Sequence, residues 1–531
     1  MEFVPKNYEK TKTNKSDNLH NIYKKLYKFI NIIINKMNNF NIKEYERITQ
    51  TFPEISREEY SQITDEKLKW QIASKNRLLA SDTYNRTMDW TKWVDNNGQA
   101  TYTLSFRNNT YSYFVVDGIR SIIKEYFKWP IVQHELDFAS DNFANEWSKW
   151  GIKFFNKDRR QNIVINHKWF APLTIRAVLD GTAVKPGEPV MTVGSEDSEV
   201  AAWFEAKLLR VFYPSAVATH QKMIEELGVK WRIVDFSNRS AINDNMQFAS
   251  ARSNYIWWGI NQTSNDAAAS VYPFLRANGT LAHRYFASFD TEDEALENAI
   301  AKHDSISLLV DYIDSVSGLD KIIALKKKYP NKKIYPRLDS WDILGQTIYY
   351  LNQLKASAML DDGEKVIISE VWSMEKLNTI ENTVWEEGFD PSKYIYYGIG
   401  GLITAQKKTR DELSAAYKQT EYKWHITGKL SNDLNKSPIP GSPTIIITED
   451  KKRVVAQLSE VLCGGIKWED LMHMVYDHGN MNFKDDDFAE IQDARERLAR
   501  TFDFVSYEWG LSDLSHQYKM DVRDNLLSQK M

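Results

Sequence analysis

Tyr394-Ile395-Tyr396-Tyr397-Gly398-Ile399-Gly400-Gly401 is an apolar run that breaks into glycines. Aromatic and β-branched residues at this density predict a strand. The glycines that follow predict a turn whose backbone can approach a ligand, and which opens a helix. Four further runs share the texture: Trp231-Arg232-Ile233-Val234-Asp235-Phe236, Ser307-Leu308-Leu309-Val310, Lys333-Ile334-Tyr335 and Val366-Ile367-Ile368. Helix-length sequence separates them, so the chain predicts βα units and a parallel sheet. The expected class is α/β: an irregular βα barrel with an α+β domain and a helical N-terminal extension.

The residues after each run point to a site. They are Asn238-Arg239, Asp311, Arg337-Leu338-Asp339-Ser340, Ser369-Glu370 and the glycines at 398–401. In a βα barrel the C-terminal strand ends converge on one face, where active sites are built. Turns are polar in any fold, but charges and a glycine-rich loop recurring at successive strand ends favour a site.

Outward from the barrel, residues 1–75 read as a helical N-terminal extension. Residues 76–228 read as an α+β domain, with contributions from about 425–531. The barrel occupies 229–424, and 425–531 is a C-terminal region. Asn96-Asn97-Gly98 marks a turn, Thr101 to Phe106 alternates like a half-buried strand, and Val116 to Phe127 reads as a helix. Residues 171–194 hold short strands around Asp180-Gly181 and Lys185-Pro186-Gly187. The spacing of Gly181, Val184, Gly187 and Val190 suits half of a lipoyl-type domain, but no second half with a hairpin lysine follows, so a carrier role is disfavoured.

Composition narrows the function classes. The chain has 531 residues, enough for several domains and a large core. Its 68 basic and 72 acidic residues give a net charge of −4, so no global field favours nucleic acid or an anionic membrane. One cysteine, Cys463, allows neither an intrachain disulfide nor a multi-cysteine zinc site, which fits a reducing compartment and a cytoplasmic protein. Residues 1–15 carry no apolar segment of the targeting type. The run Phe29 to Ile34 is far too short to span a bilayer and reads as a core-packed helix. Residues 1–43 hold nine lysines and three acids, a solvated extension rather than an anion-binding arm.

Several side chains have chemistry to offer. Gly400 and Gly401 could cradle a phosphate, with Arg410 and Lys418 supplying cations from a following helix. Arg337, Asp339 and Asp342 form a charged cluster after a strand, suited either to a magnesium polyphosphate or to a structural ion pair. His283 lies in a turn-like stretch after Gly279-Thr280.

These blocks, in this order, resemble the nicotinate and nicotinamide phosphoribosyltransferases. The resemblance rests on Leu78-Leu79-Ala80-Ser81-Asp82-Thr83-Tyr84-Asn85-Arg86-Thr87-Met88, Phe106-Arg107-Asn108 and Asp235-Phe236-Ser237-Asn238-Arg239. It continues through Gln262-Thr263-Ser264-Asn265, Gly279-Thr280-Leu281-Ala282-His283, Leu308 to Asp311 and Arg337 to Asp342. Gly398 to Gly401, Thr409-Arg410-Asp411 and Lys429-Leu430-Ser431 complete it. The resemblance implies attack of a pyridine nitrogen on phosphoribosyl pyrophosphate, with Mg2+ as cofactor and ATP as a possible coupled substrate. It implies catalytic roles for His283 and Asp339, and pyridine binding by Phe236, Arg239, Ser264, Arg337 and Tyr84. Arg107, Gly400, Gly401, Arg410 and Lys418 would bind phosphates, and the metal ligands are left unassigned. The Tyr84 equivalent comes from the partner subunit in the family, so a homodimer with shared sites is expected. No nucleic-acid or membrane partner is expected.

The chain also departs from the family. Gln262 and Trp341 stand where the family usually has glycine, and Ser369-Glu370-Val371 replaces a Ser-Gly-Asp or Gly-Asp pair. An active divergent enzyme, a catalytically silent nucleotide-binding relative and a transferase for another base all remain open. Ser264 stands where the nicotinamide branch has an aspartate, which favours nicotinate. Ser240, in place of a second arginine, and Thr409-Arg410-Asp411 lean towards nicotinamide.

Overall fold

The computed structural model describes residues 47, 50–79, 81, 82, 84, 85, 88, 98–146, 161, 162, 165–229, 231–258, 260, 262–272, 275–429, 437–463, 468–483, 487–507 and 509–528. The Phe29–Ile34 run, the basic 1–43 segment and the turn residues Asn96-Asn97 lie outside them. The chain divides into two compact units, Met1–Trp93 with Glu125–Pro172, and Val94–Lys124 with Leu173–Met531. Residues 125–172, read from sequence as α+β, therefore gather with the N-terminal segment.

In the first unit, helices Arg57–Gln62 and Glu66–Lys75 start where their side chains allow. Ser56 and Glu59 form a reciprocal capping box, and Asp65 accepts from the Leu68 N–H. Phe52 and Tyr60 pack on Phe138 with ring centroids 4.9 and 5.0 Å away. The Arg77 guanidinium joins Glu135 at 2.8 Å and donates to the carbonyls of Trp129 and Pro130. This satisfies a shielded charge from several sides.

The second unit holds the parallel sheet. Its strands are β1 (Ile233–Asp235), β2 (Gln262–Thr263), β3 (Arg276–Ala277), β4 (Ser305–Leu309), β5 (Lys333–Leu338), β6 (Val366–Ile368) and β7 (Ile395–Ile399). The order is β3-β2-β1-β7-β6-β5-β4, and every pairing is parallel. Among the described residues no ladder joins β3 to β4, so the sheet is a curled half-barrel rather than a closed barrel. All five apolar runs became strands. The two-residue β2 and β3 carry no hydrophobic run that would announce them.

Helices α1 (Phe212–Glu226), α2 (Ser315–Lys328), α3 (Ile343–Ala356) and α4 (Met374–Glu386) belong to the same unit. Asp314, Asp342 and Ser373 cap α2, α3 and α4 by accepting from backbone N–H groups. Leu377, Ile380 and Val384 recur at helical spacing, as do Leu319, Ile322 and Ile323, and all are buried with β4–β7 in one core. Each such side chain adds about 1.5–3 kcal/mol when fully buried.

A seven-stranded antiparallel sheet flanks this region in sequence, with strands 425–426, 416–422, 100–105, 189–195, 174–178, 472–477 and 480–481 side by side. The strand read at Thr101–Phe106 spans Ala100–Ser105, and the helix read from Val116 spans Ile119–Phe127.

Two expectations about the glycine loop need correction. The helix after Gly400 is one turn, Gly401–Thr404, so it brings no long macrodipole. Nor do Arg410 and Lys418 share a following helix: Arg410 lies in a turn and Lys418 in the strand Ala416–Tyr422. The backbone breaks out of helix through positive φ at Lys407 (55°) and Ser414 (48°).

Candidate active site

The C-terminal ends of β1, β5, β6 and β7 enclose a cleft of about 250 Å³, lined by residues including Phe236, Arg239, Arg337, Asp339, Gly400 and Gly401. Its floor is built from the strand ends. The Phe236 N–H donates to Ile399 O at 2.8 Å, extending the β1–β7 ladder by one residue. Asp235 is buried beneath and accepts from the Ser237 N–H at 2.8 Å, which starts the short turn carrying Asn238 and Arg239. Burial raises the Asp235 carboxyl pKa, partly offset by its hydrogen bonds.

Arg337 is the hub of the polar wall. Its guanidinium donates to Ser369 Oγ at 3.1 Å, to Asp339 Oδ2 at 2.9 Å and to Thr280 Oγ1. Ser369 Oγ in turn donates to Asp339 Oδ1 at 2.6 Å. The fork therefore locks a carboxylate, a hydroxyl and a guanidinium in one plane of contacts. The guanidinium carbon stands 5.9 Å from the Phe236 ring centroid. Asp342, grouped with these charges in the sequence, caps α3 through the Gly345 N–H at 3.0 Å instead.

Beside the cleft is a second cluster. His283 Nε2 lies 3.1 Å from Asp311 Oδ1, and Ser340 Oγ donates to Asp311 Oδ2 at 2.6 Å. His283 opens the four-residue helix His283–Phe286. Trp341, next to Ser340, has φ of 65° and is 71 % exposed.

A third cluster is cationic. Antiparallel pairing sets Ser105 opposite Ala416 and Thr103 opposite Lys418, and the Arg107 Nε–H donates to Ser414 O at 3.3 Å. Arg410 Nε–H donates to Ala415 O at 3.1 Å. Desolvation lowers the Lys418 pKa, Glu205 opposes it, and the charges of Arg107, Arg410 and Lys429 add to the lowering. Three like charges close enough to shift an ammonium make a site that a polyanion would relieve.

The cleft thus gathers Phe236, Arg239, Arg337, Asp339, Gly400 and Gly401. Ser264, His283, Arg107, Arg410 and Lys418 are not among its lining residues. The Ser264 N–H donates to Asp235 O at 2.8 Å, and the side chain is exposed. Tyr84 belongs to the first unit and is 46 % exposed. Four residues hold places at the site that the sequence had not assigned them: Thr280 and Ser369 on the Arg337 fork, Trp372 in the lining and Lys429 among the cations. Ser369 stood in a noted strand-end pair and Lys429 in a noted block. Nothing in the sequence marked Trp372.

Magnesium suits oxygen ligands, commonly one or two carboxylates plus substrate phosphates. Among the described residues no group of three or more His, Cys, Asp or Glu gathers to hold a metal by itself. Asp339 and Glu370 both line the cleft, so the residues fit an ion carried largely by a polyphosphate.

No protein-family model matches the chain. It is 26% identical over 280 residues to the nicotinate phosphoribosyltransferase pncB2 of Mycobacterium tuberculosis, covering 50% of this chain and 55% of that protein. The chain thus spans about half the length of these first curated relatives. Against a nicotinate phosphoribosyltransferase of Caenorhabditis elegans it is 22% identical over 426 residues, covering 68% of this chain and 72% of the other. A nicotinamide phosphoribosyltransferase of Xanthomonas campestris is 27% identical over 169 residues, covering 31% and 34%. The fold matches human nicotinic acid phosphoribosyltransferase with a TM-score of 0.57 at 16% identity, over 82% of this chain and 98% of that one. It matches a nicotinate-nucleotide pyrophosphorylase of Pyrococcus furiosus with a TM-score of 0.58 at 14% identity, over 84% and 98%. In sequence, the chain is similar to the nicotinate and nicotinamide phosphoribosyltransferases that its motifs resemble, and its fold matches theirs.

Proposed function

We propose that this protein is a pyridine-base phosphoribosyltransferase of NAD salvage, joining nicotinate to phosphoribosyl pyrophosphate. The observation that carries the reading is the cleft itself. Its lining offers an aromatic ring and a guanidinium, Phe236 and Arg337, and beside them the backbone of Gly400 and Gly401. The first suits a flat pyridine and the second a phosphate.

In this reading the pyridine nitrogen forms a bond to C1′ as the C1′–O bond to pyrophosphate breaks. The bond pair leaves on the pyrophosphate oxygen. Phe236 stacks on the base and fixes its face towards C1′. Arg337, its fork filled by Thr280, Ser369 and Asp339, keeps the base edge from rotating. Asp339 faces the positive charge that develops on the ribose. Arg107, Arg410 and Lys418 take up the phosphates. Bound Mg2+ would neutralise part of the pyrophosphate charge, with Asp339 and Glu370 the residues to hold it. ATP coupling through His283 belongs to the same proposal, as do a cytoplasmic location and a homodimer in which Tyr84 of one protomer serves its partner's site. No described helix is long and apolar enough to cross a membrane.

For the base, exposed Ser264 presents a hydroxyl rather than a carboxylate, so nothing there repels nicotinate. Two further aromatic residues at the site favour a second reading, a silent relative: Trp372 in the cleft lining and Trp341 at a strained position beside it. The deciding assay supplies purified protein with phosphoribosyl pyrophosphate, Mg2+ and each pyridine. Pyrophosphate release with nicotinate supports the transferase. Binding without turnover supports the silent relative.

A further inference from the structure

Close after the glycine turn in sequence, and not among the cleft-lining residues, lies a buried lysine. Lys408 Nζ donates to Leu402 O at 3.0 Å and to Gln406 O at 2.9 Å, and stands 3.0 Å from His220 Nδ1 on α1. Tyr213, also on α1, donates to Thr404 O at 2.9 Å. Together the two side chains satisfy carbonyls that the one-turn helix Gly401–Thr404 and its exit leave without intrahelical partners. The shape of the Gly400-Gly401 turn therefore depends on Lys408.

The contacts continue outward as a hydrogen-bonded chain. His220 Nε2 lies 3.1 Å from the Tyr111 hydroxyl, which donates to Glu412 Oε1 at 2.7 Å. Two groups compete at His220 Nδ1: Lys408 Nζ, and Ala216 O at 2.8 Å. A charged Lys408 donates to Nδ1 and leaves the ring proton on Nε2, where it points at Tyr111. A neutral Lys408 frees Nδ1 to carry that proton towards Ala216. The chain has two arrangements, selected by the charge on one lysine.

Burial holds the Lys408 pKa down to about 7, with Glu412 raising it and Lys407 lowering it further. The groups acting on Lys408 are His220 from α1, and Glu412 and Lys407 on its own segment, with Tyr111 from the loop after Ala100–Ser105 facing His220. Burial and the Lys408 charge keep His220 neutral, at about 3. An anion arriving at the backbone of Gly400 and Gly401 adds negative charge about one helical turn from the Leu402 carbonyl that Lys408 holds.

We infer that Lys408 is a positioning residue that takes up a proton when a phosphate group binds the Gly400-Gly401 turn, and that its ammonium then holds the turn in the receiving shape. The inference rests on the reading of that turn as a phosphate site, and adds to it a proton linkage seated outside the cleft.

The test titrates the full-length protein with inorganic pyrophosphate at pH 8, in two buffers of different ionisation enthalpy. Wild type takes up more protons on binding than Lys408→Met, by about 0.4 proton, and binds about twofold more tightly, as a one-unit rise of the Lys408 pKa from about 7 gives at pH 8. Lys408→Arg keeps the affinity but loses the extra uptake. Glu412→Gln, which leaves the lysine in place, moves the pH midpoint of pyrophosphate affinity downward. Equal uptake in wild type and Lys408→Met overturns the inference while the phosphate site stands. If Lys408→Met does not fold, an unshifted midpoint in Glu412→Gln overturns it instead. Failure of wild type to bind pyrophosphate overturns the phosphate-site reading and the inference with it.

Discussion

The Phe236 ring occupies the space where a side chain at Gly398 would have to be. A Cβ on Gly398 would lie 2.3 Å from Phe236 Cε2 and 2.5 Å from Cδ2, far inside contact distance. The glycine is needed here for room rather than for backbone freedom. Adjacent strands β1 and β7 thus fix the aromatic wall by the absence of a methyl group. Gly398→Ala should turn the ring and raise the KM for the pyridine about tenfold, with a smaller change for phosphoribosyl pyrophosphate. Phe236→Ala should raise that KM further, by about 30-fold or more, through loss of stacking and burial worth about 2–4 kcal/mol together. Equal losses for both substrates in folded variants would show that the ring does not face the base.

Arg337 and Asp339 should behave as one unit. Arg337→Lys keeps a charge but cannot span Thr280, Ser369 and Asp339 together. Losing one charge-assisted hydrogen bond at about 1.5–3 kcal/mol predicts a drop in kcat/KM of roughly ten- to two-hundred-fold. Asp339→Asn alone and the double variant should fall to a similar level, because each breaks the same fork. Simple addition of the two single losses would separate their roles.

The legible parts of this molecule were the ones with local signals. Hydrophobic runs announced β1 and β4–β7, and the charges after them marked Arg337 and Asp339 as a cluster with Asp342, which caps α3 instead. What stayed hidden depends on tertiary approach. β2 and β3 are two-residue strands recruited by their neighbours, with no period of their own. The one-turn length of the helix after Gly400 is set by the backbone reversal at Lys407, a residue whose type gives no warning of positive φ. Trp372 lines the cleft because β6 ends nearby, and it falls just outside the Ser369-Glu370-Val371 block read from the sequence. Lys408 reads as one of two adjacent lysines, Lys407-Lys408, and only the fold tells the buried one from its neighbour.

Trp341 carries backbone strain without compensating burial. A non-glycine residue at φ 65° costs about 1–2 kcal/mol, and the exposed indole recovers little of that through packing. Trp341→Gly should therefore hold stability level or raise it, since the added chain entropy of glycine offsets up to about 1 kcal/mol. Urea unfolding gives that answer. Activity gives the other: a gain shows that the indole obstructs substrate, and a clear loss shows that it contacts substrate. A strongly destabilised variant would mean the indole packs more than its exposure indicates.

Acid should find His220 early. Its folded pKa of about 3 lies well below the ordinary 6.5, because burial and the Lys408 charge oppose protonation. Between those values the unfolded chain binds the extra proton, so stability falls as pH drops from about 6.5 towards 3. The slope is about 1.4 kcal/mol per pH unit while this histidine dominates. His220→Gln removes the titration and keeps an amide near Tyr111, so its stability curve should be flatter over that window. Parallel curves for the two proteins would place the acid sensitivity elsewhere.

His283 should separate ATP coupling from base transfer. Its Nε2 faces Asp311 at 3.1 Å, and Asp311 is held from its other oxygen by Ser340. A carboxylate so placed fixes the orientation of the imidazole, as a phosphate-accepting histidine requires. The cleft lining does not include His283, so removing it leaves the Phe236, Arg337 and glycine surfaces in place. His283→Ala should therefore abolish ATP-stimulated turnover while phosphoribosyl pyrophosphate still binds within about twofold of wild type. Asp311→Asn should lower the stimulation without abolishing it, because the amide still fixes the ring but no longer supplies charge. Undiminished ATP stimulation in His283→Ala would take the histidine out of the coupling, and lost phosphoribosyl pyrophosphate binding would move it into the substrate site.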